Sequence, residues 1–448
     1  MWVDLPQTPA QWHRRIWALT WPMILANLTI PMVGAVDTAV MGRLPDAAYI
    51  GAVAVGSTIL TAIYWIFGFL RMGTTGLTAQ AMGRRDLPEL VAVGGRAAIL
   101  ALLLGLALVV TQQPLHDLAF WIFQASSQVE SLASDYFLIR IWGAPAAFVH
   151  LVNLGILFGL QRMGATLVIS VLLNVSNVAL DLLFVIGFGW GVEGVAIGTI
   201  VSEWLAAIVG VIIVIKALEQ SGWPRTRPAG LLNRHRLTDL FRVSGNLIVR
   251  SFFVQFPFMT YTALSASLGD LVLAANAILM QFFLVMAYGL DSVANTTETL
   301  TGHAFGARNS AQLRTASAYA FMWGGLMAFG ATIVYAVFGD AIVSLMTRLP
   351  EVREAANQYR LWATLAPMVC VWAFLFDGIF IGTTRTVELR NSMFAALVIY
   401  LLTLWLTFDA LGNNAIWLAM MTFMVARSIL LGAHYPKLLR LAASKPDV

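Results

Sequence analysis

The chain has 448 residues, of which 59% are hydrophobic and only 11% charged, with a formal net charge of +4. Its mean hydropathy is +0.79. So few charges exclude a water-soluble domain and mark a polytopic membrane protein, and the basic excess needs no nucleic-acid partner. Scanning for apolar stretches of roughly 20 residues predicts twelve membrane spans, at about 16–41, 47–71, 91–112, 134–158, 165–188, 191–216, 240–266, 272–298, 315–338, 358–381, 392–409 and 413–434.

Trp2 to Gln11 is polar and lacks the apolar core of a cleavable signal, so the first span is expected to stay in the protein. Arg14 and Arg15 precede it, and most other basic residues fall in even-numbered connections or the C-terminal tail. Odd-numbered connections hold Arg43, Arg348 and Arg353. The positive-inside rule then places both termini in the cytoplasm.

Span 1 contains Pro22 and Pro31, each of which removes a backbone hydrogen bond and gives the helix a place to bend. Asp37 follows, near the outer end. On position alone it reads equally as an interfacial acid reaching for water. Span 5 carries Ser170, Asn174, Asn177 and Asp181 at helical spacing in an otherwise apolar run, so four polar groups share one face. An acid set this deep in hydrocarbon is a hypothesis about ion or proton handling. Thr199 in span 6 lies at a similar depth to Asp37 and Asp181 in the outer leaflet.

Two acids facing each other in a low dielectric cannot both ionise cheaply, so Asp37 and Asp181 would hold one proton as a coupled unit. Asn177 and Thr199 add neutral oxygens, which also suit Na⁺. Arg71, Arg140 and Arg360, near span ends, read as snorkelling anchors.

The second half repeats the first. Thr74, Leu77, Thr78, Ala81, Gly83 and Arg85 match Thr297, Leu300, Thr301, Ala304, Gly306 and Arg308 at one offset of about 223 residues. Gly155 and Gly159 match Gly378 and Gly382 at the same offset, and read as packing glycines. The expected fold is therefore all-α, with twelve transmembrane helices in two pseudo-symmetric six-helix bundles: an N-terminal lobe over 1–217, a cytoplasmic linker over 218–238 and a C-terminal lobe over 239–448. Six spans per half give the lobes one orientation, the arrangement that alternating access uses. In the second half, Asp291, Asn295 and Glu298 share a face of span 8 and Asp377 lies in span 10. They read either as functional acids or as partners for Arg250.

Gly189-Trp-Gly191-Val-Glu-Gly194 satisfies a dinucleotide fingerprint on paper, but with no strand before it the segment is a turn. No phosphate-binding loop, His-Glu-x-x-His or Gly-x-Ser-x-Gly pattern occurs. The six His residues lack ligand spacing, and Cys370 is the single cysteine, so neither a metal site nor a disulfide is expected.

Val36-Asp37-Thr-Ala-Val-Met-Gly42-Arg-Leu44, Thr75-Gly-Leu-Thr-Ala-Gln80-Ala-Met-Gly83, Asn174-x-x-Asn177-x-x-x-Asp181, Gly191-Val-Glu-Gly-Val-Ala-Ile-Gly-Thr199 and Asp377-Gly-Ile-Phe-Ile-Gly-Thr-Thr-Arg together resemble the multidrug and toxic compound extrusion (MATE) transporters, in their DinF-like branch. The resemblance implies a V-shaped pair of six-helix lobes. It implies an exporter, not an enzyme, that carries lipophilic, mostly cationic drugs out against entering H⁺ or Na⁺, with no cofactor. The matching coupling positions are Asp37, Asn177, Asp181 and Thr199, with Asn153, Asn174 and Ser170 adding to the polar cavity. Glu298 and Asp377 match less closely the carboxylates used by other branches.

The reading is thus a proton-coupled multidrug antiporter, a monomer in the inner membrane, with lipid and small-molecule drugs as its partners. Sodium coupling remains the near alternative. A lipid or oligosaccharide flippase would require a cationic cavity, whereas the buried charges placed in the first lobe are acidic. A membrane-embedded transferase would require an Asp-rich loop, which is missing.

Overall fold

In a computed structural model the protein is described over residues 4–42, 47–123, 125–223, 231 and 233–443, without the side chains of 30–39 and 47. The side chains of Pro31 and Asp37, and all of Arg43 and the linker residues 224–230, lie outside the described residues. Among the described residues there is no strand, and eleven helices are long and apolar enough to cross a membrane. The remaining predicted span falls in α1 (Pro9–Met41). Helix is what apolar sequence must adopt in lipid, because only there are all backbone N–H and C=O groups satisfied within the segment.

Two compact units emerge. The first comprises residues 21–240, the second residues 4–20 and 241–448. In the first, the predicted span 47–71 covers α2 (Ala47–Ile66) and the start of α3 (Phe69–Arg84), with an interruption at Phe67 and Gly68, and α3 continues past its predicted end. Next come α4 (Leu87–Val110), whose N-cap Asp86 accepts from the Glu89 amide, and the short α5 (Gln112–Ile122), which the hydropathy pattern leaves in a connection. Predicted span 4 is α6 (Ser127–Arg140) and α7 (Ala144–Gly159), joined by a 3₁₀ turn at Ile141–Gly143. Then follow α8 (Met163–Asp181), continued by a π-helical turn at Leu182–Gly187, and α9 (Gly191–Gln220).

The second unit contains most of α10 (Arg234–Ser267), together with α11 (Asp270–Gly306), α12 (Ser310–Met346), α13 (Pro350–Gly382), α14 (Thr386–Leu411) and α15 (Asn413–Ala443). Its first segment is the start of α1. Trp12 stacks on Tyr319, Trp323 Nε1 donates to His13 Nδ1 at 3.2 Å, and the Thr20 and Thr296 hydroxyls share a hydrogen bond of 3.0 Å. Helix α1 thus changes unit beside the buried Pro22.

The internal repeat is visible in the backbone. Among the described residues, four that are not glycine adopt the left-handed region: Arg85 (φ 55°), Gln161 (φ 59°), Arg308 (φ 55°) and Thr384 (φ 52°). They form two pairs, Arg85 with Arg308 and Gln161 with Thr384, at the same offset as the sequence repeat. Each closes a helix where a β-carbon disfavours that conformation by roughly 1–2 kcal/mol. The glycine pairs do equivalent work in both units. Gly155 meets the Arg71 carbonyl and the Thr74 side chain of α3, and Gly159 meets Thr78 and the Ala79 amide. Gly378 and Gly382 meet the backbone of Ala294 and Glu298 on α11. Any side chain there would push the helices apart.

Candidate coupling site

Asp181 is fully buried at the last residue of α8, where the helix widens into the π turn. Its carboxylate lies over Gly198 of α9: a β-carbon at 198 would come within 2.5 Å of Oδ1. One turn earlier on α8, buried Asn177 donates from Nδ2 to Thr199 Oγ1 at 3.1 Å, and that hydroxyl donates to the Val195 carbonyl at 2.9 Å. Buried Ser202 donates to the Gly198 carbonyl at 2.8 Å. Three of the four residues named for coupling in the sequence thus meet along the α8 and α9 contact, with Gly198 as the gap that admits the acid.

The same polar face of α8 touches α1 nearer its start. Thr166 Oγ1 approaches Met23 Sδ at 3.7 Å, and Asn174 Nδ2 donates to Thr29 Oγ1. Ser170 is half-buried between these levels. Asn153 is placed elsewhere. It sits on α7, its amide donates to the Ala207 carbonyl of α9 at 3.0 Å, and Gly210 makes room for it. Gly210 lies eleven residues beyond Thr199, about 16 Å along the helix. Asn153 is therefore a tie between α7 and α9, on another level from Asn177.

One buried ion pair was not anticipated. Arg140, read from its position as a snorkelling anchor, is 9% exposed and grips Glu203 of α9 with both arms of its guanidinium, Nη1 to Oε2 at 2.8 Å and Nη2 to Oε1 at 2.6 Å. It ends α6, directly before the 3₁₀ turn, and faces α9. Gly143, in that turn, has no side chain to collide with the pair. Glu203 lies one helical turn beyond Thr199 on the same face of α9.

In the second unit, Asp377 does meet Arg250, and it also meets Arg427 of α15: both guanidiniums donate to Oδ2. Glu298 is buried on α11, with Gly378 and Gly382 against its backbone, and Asn295 donates to Asp291 at 3.1 Å. The spacing of Arg427 from either partner, 50 residues or more, left no local signal of this triad.

With this geometry established, comparison with known proteins decides the family. The MatE family profile matches twice, over residues 22–183 and 247–408, once in each half. The chain belongs to the MatE family of multidrug transporters. This MatE chain is 38% identical over 422 residues to the DNA damage-inducible protein F of Escherichia coli K12, covering 94% of this chain and 91% of that protein. It is 24% identical over 357 residues to a probable multidrug resistance protein NorM of Neisseria meningitidis, covering 79% and 77%. Its fold matches an outward-facing MATE transporter with a TM-score of 0.86 at 19% identity, over 98% of this chain and all of that one. It is a multi-pass membrane transporter and not an enzyme.

Proposed function

We propose that this MatE protein is a secondary active exporter, coupling inward H⁺ movement to extrusion of lipophilic, mostly cationic compounds, with Asp37 and Asp181 sharing the coupling ion beside Asn177 and Thr199. The observation that carries the reading is a register. Thr166 pairs with Met23 and Asn174 with Thr29, separations of 143 and 145 residues, so α8 and α1 run parallel side by side. Extending that register two turns brings the level of Asp181 to residues 36–38 of α1, the turn that contains Asp37. An acid held against a glycine backbone in hydrocarbon, level with a second acid, favours taking up a small cation.

The mechanism follows from charge. Facing outward, the pair takes up H⁺; once the two carboxyl groups share that proton they no longer repel and α1 can bend at Pro22 or Pro31, which displaces the drug outward. Reset with the cation bound, the site opens inward and releases it. Pro22 suits this role, since it follows directly on the segment of α1 that packs with Trp323 and Thr296. The basic residues favour an inner-membrane orientation with both termini in the cytoplasm, and the protein is proposed to work as a monomer.

Proteoliposomes loaded with a fluorescent lipophilic cation test this directly, with ΔpH and ΔNa⁺ imposed separately. Export driven by ΔpH and lost in both Asp181→Asn and Asp37→Asn supports the proposal. Export driven by ΔNa⁺ alone would transfer the same site to sodium, and export unaffected by either substitution would remove it.

A further inference from the structure

The second unit buries two acids, Asp377 and Glu298, and two bases, Arg250 and Arg427, but both bases gather on one acid. Arg250 on α10, Asp377 on α13 and Arg427 on α15 are 7%, 6% and 3% exposed, and all three helices are membrane spans. Two guanidiniums share one carboxylate oxygen, so the group carries a net charge of +1 in a low dielectric.

The donors are also underused. Arg427 spends Nη1 on the sulfur of Met424 at 3.3 Å, a weak acceptor, and lies over the Phe423 ring at 5.3 Å. Its Nε, the Nε of Arg250 and Asp377 Oδ1 have no hydrogen-bond partner among the described residues. Buried donors left unpaired, on a charge left unbalanced, are the signature of a site built for an acceptor that carries negative charge. An approach to it is basic as well. One turn before Arg250 on α10, Asn246 accepts from the half-buried Arg390 at 2.9 Å, so guanidiniums recur from the start of α14 toward the triad.

We propose that Arg250 and Arg427 form a binding site for a small monovalent anion or for a carboxylate, with Asp377 holding the two guanidiniums in position. The bound group accepts from the unpaired Nε donors and neutralises the surplus charge. If the carboxylate belongs to a substrate, the exporter takes zwitterionic amphiphiles as well as cations. That second arm rests on the transport reading above; the binding arm does not.

Thermal unfolding of the purified full-length protein reads binding without transport. Sodium chloride and sodium benzoate are titrated against wild type and Arg427→Gln, which leaves a neutral Arg250 and Asp377 pair. A saturable rise in unfolding temperature in wild type, lost in the variant, is the expected result. An identical response of both proteins to both salts overturns the site.

Transport then identifies the source, using two rhodamines that differ only in a free or an esterified benzoate. A fall in the ratio of free-acid to ester export in Arg427→Gln assigns the site to a substrate carboxylate. An unchanged ratio with the salt response lost assigns it to an inorganic anion. Should the variant fail to fold, wild-type crystals grown in bromide decide: an anomalous peak against Arg250 and Arg427 supports the site, and its absence overturns it.

Discussion

The carboxylate of Asp181 and the backbone of Gly198 are in direct contact, so close that a methyl group on residue 198 would stand 2.5 Å from Oδ1. Gly198→Ala must therefore displace the acid or push α8 from α9, an overpacking that costs about 1–3 kcal/mol. The expected outcome is a protein that still folds and inserts, with ion-driven drug export reduced at least about tenfold, since a misplaced reacting group loses rate steeply. Export equal to wild type in proteoliposomes would mean that the position of Asp181 is immaterial to coupling.

Asn177 and Thr199 test a smaller effect at the same place. Their hydrogen bond of 3.1 Å ties α8 to α9 one turn from the acid. Either Asn177→Ala or Thr199→Ala removes it, at about 1 kcal/mol each. Because both act on one bond, the double variant should be about as destabilised as the worse single one, measured by thermal unfolding in detergent. Additive losses would show two unconnected roles.

The Arg140 and Glu203 pair makes a sharper prediction. Removing one partner leaves an uncompensated charge in the bilayer, a loss of about 3–5 kcal/mol. Arg140→Met and Glu203→Leu should each lower the unfolding temperature severely, and the double variant should recover most of the loss. A double variant no better than the singles would mean that packing, not charge, holds Arg140 in place.

These predictions rest on features of unequal visibility. The spans were legible because lipid permits only helix for a long apolar run, and both the repeat offset and the polar face of α8 could be counted along the chain. The interruptions at Phe67–Gly68 and Ile141–Gly143, the extra helix α5 and the π turn after Asp181 left no hydropathic trace, since each is a local backbone choice within apolar or mixed sequence. Asn177 and Thr199 were readable as a pair because each lies on a strongly patterned helix. Arg140 was misread because a basic residue near a span end looks the same whether it reaches outward to water or inward to an acid 63 residues away. Arg427 drew no notice for the same reason: its partners come from other helices.

The repeated glycines give the final test. At Gly378 and Gly382 a β-carbon would run into the backbone of α11, at Gly155 into the Arg71 carbonyl at 2.7 Å, while at Gly330, midway along α12, it would meet nothing within 4 Å. Backbone cannot rotate aside as a side chain does, so the obstructed sites must separate two helices to accept even alanine. Gly378→Ala should destabilise most and Gly155→Ala less. Gly330→Ala should be neutral or stabilising by up to about 1 kcal/mol, because alanine restricts the unfolded chain and favours helix. Thermal unfolding of the three variants in one detergent checks the order. Equal tolerance at Gly378 and Gly330 would show that the close approach of α13 to α11 is not needed for the lobe to hold together.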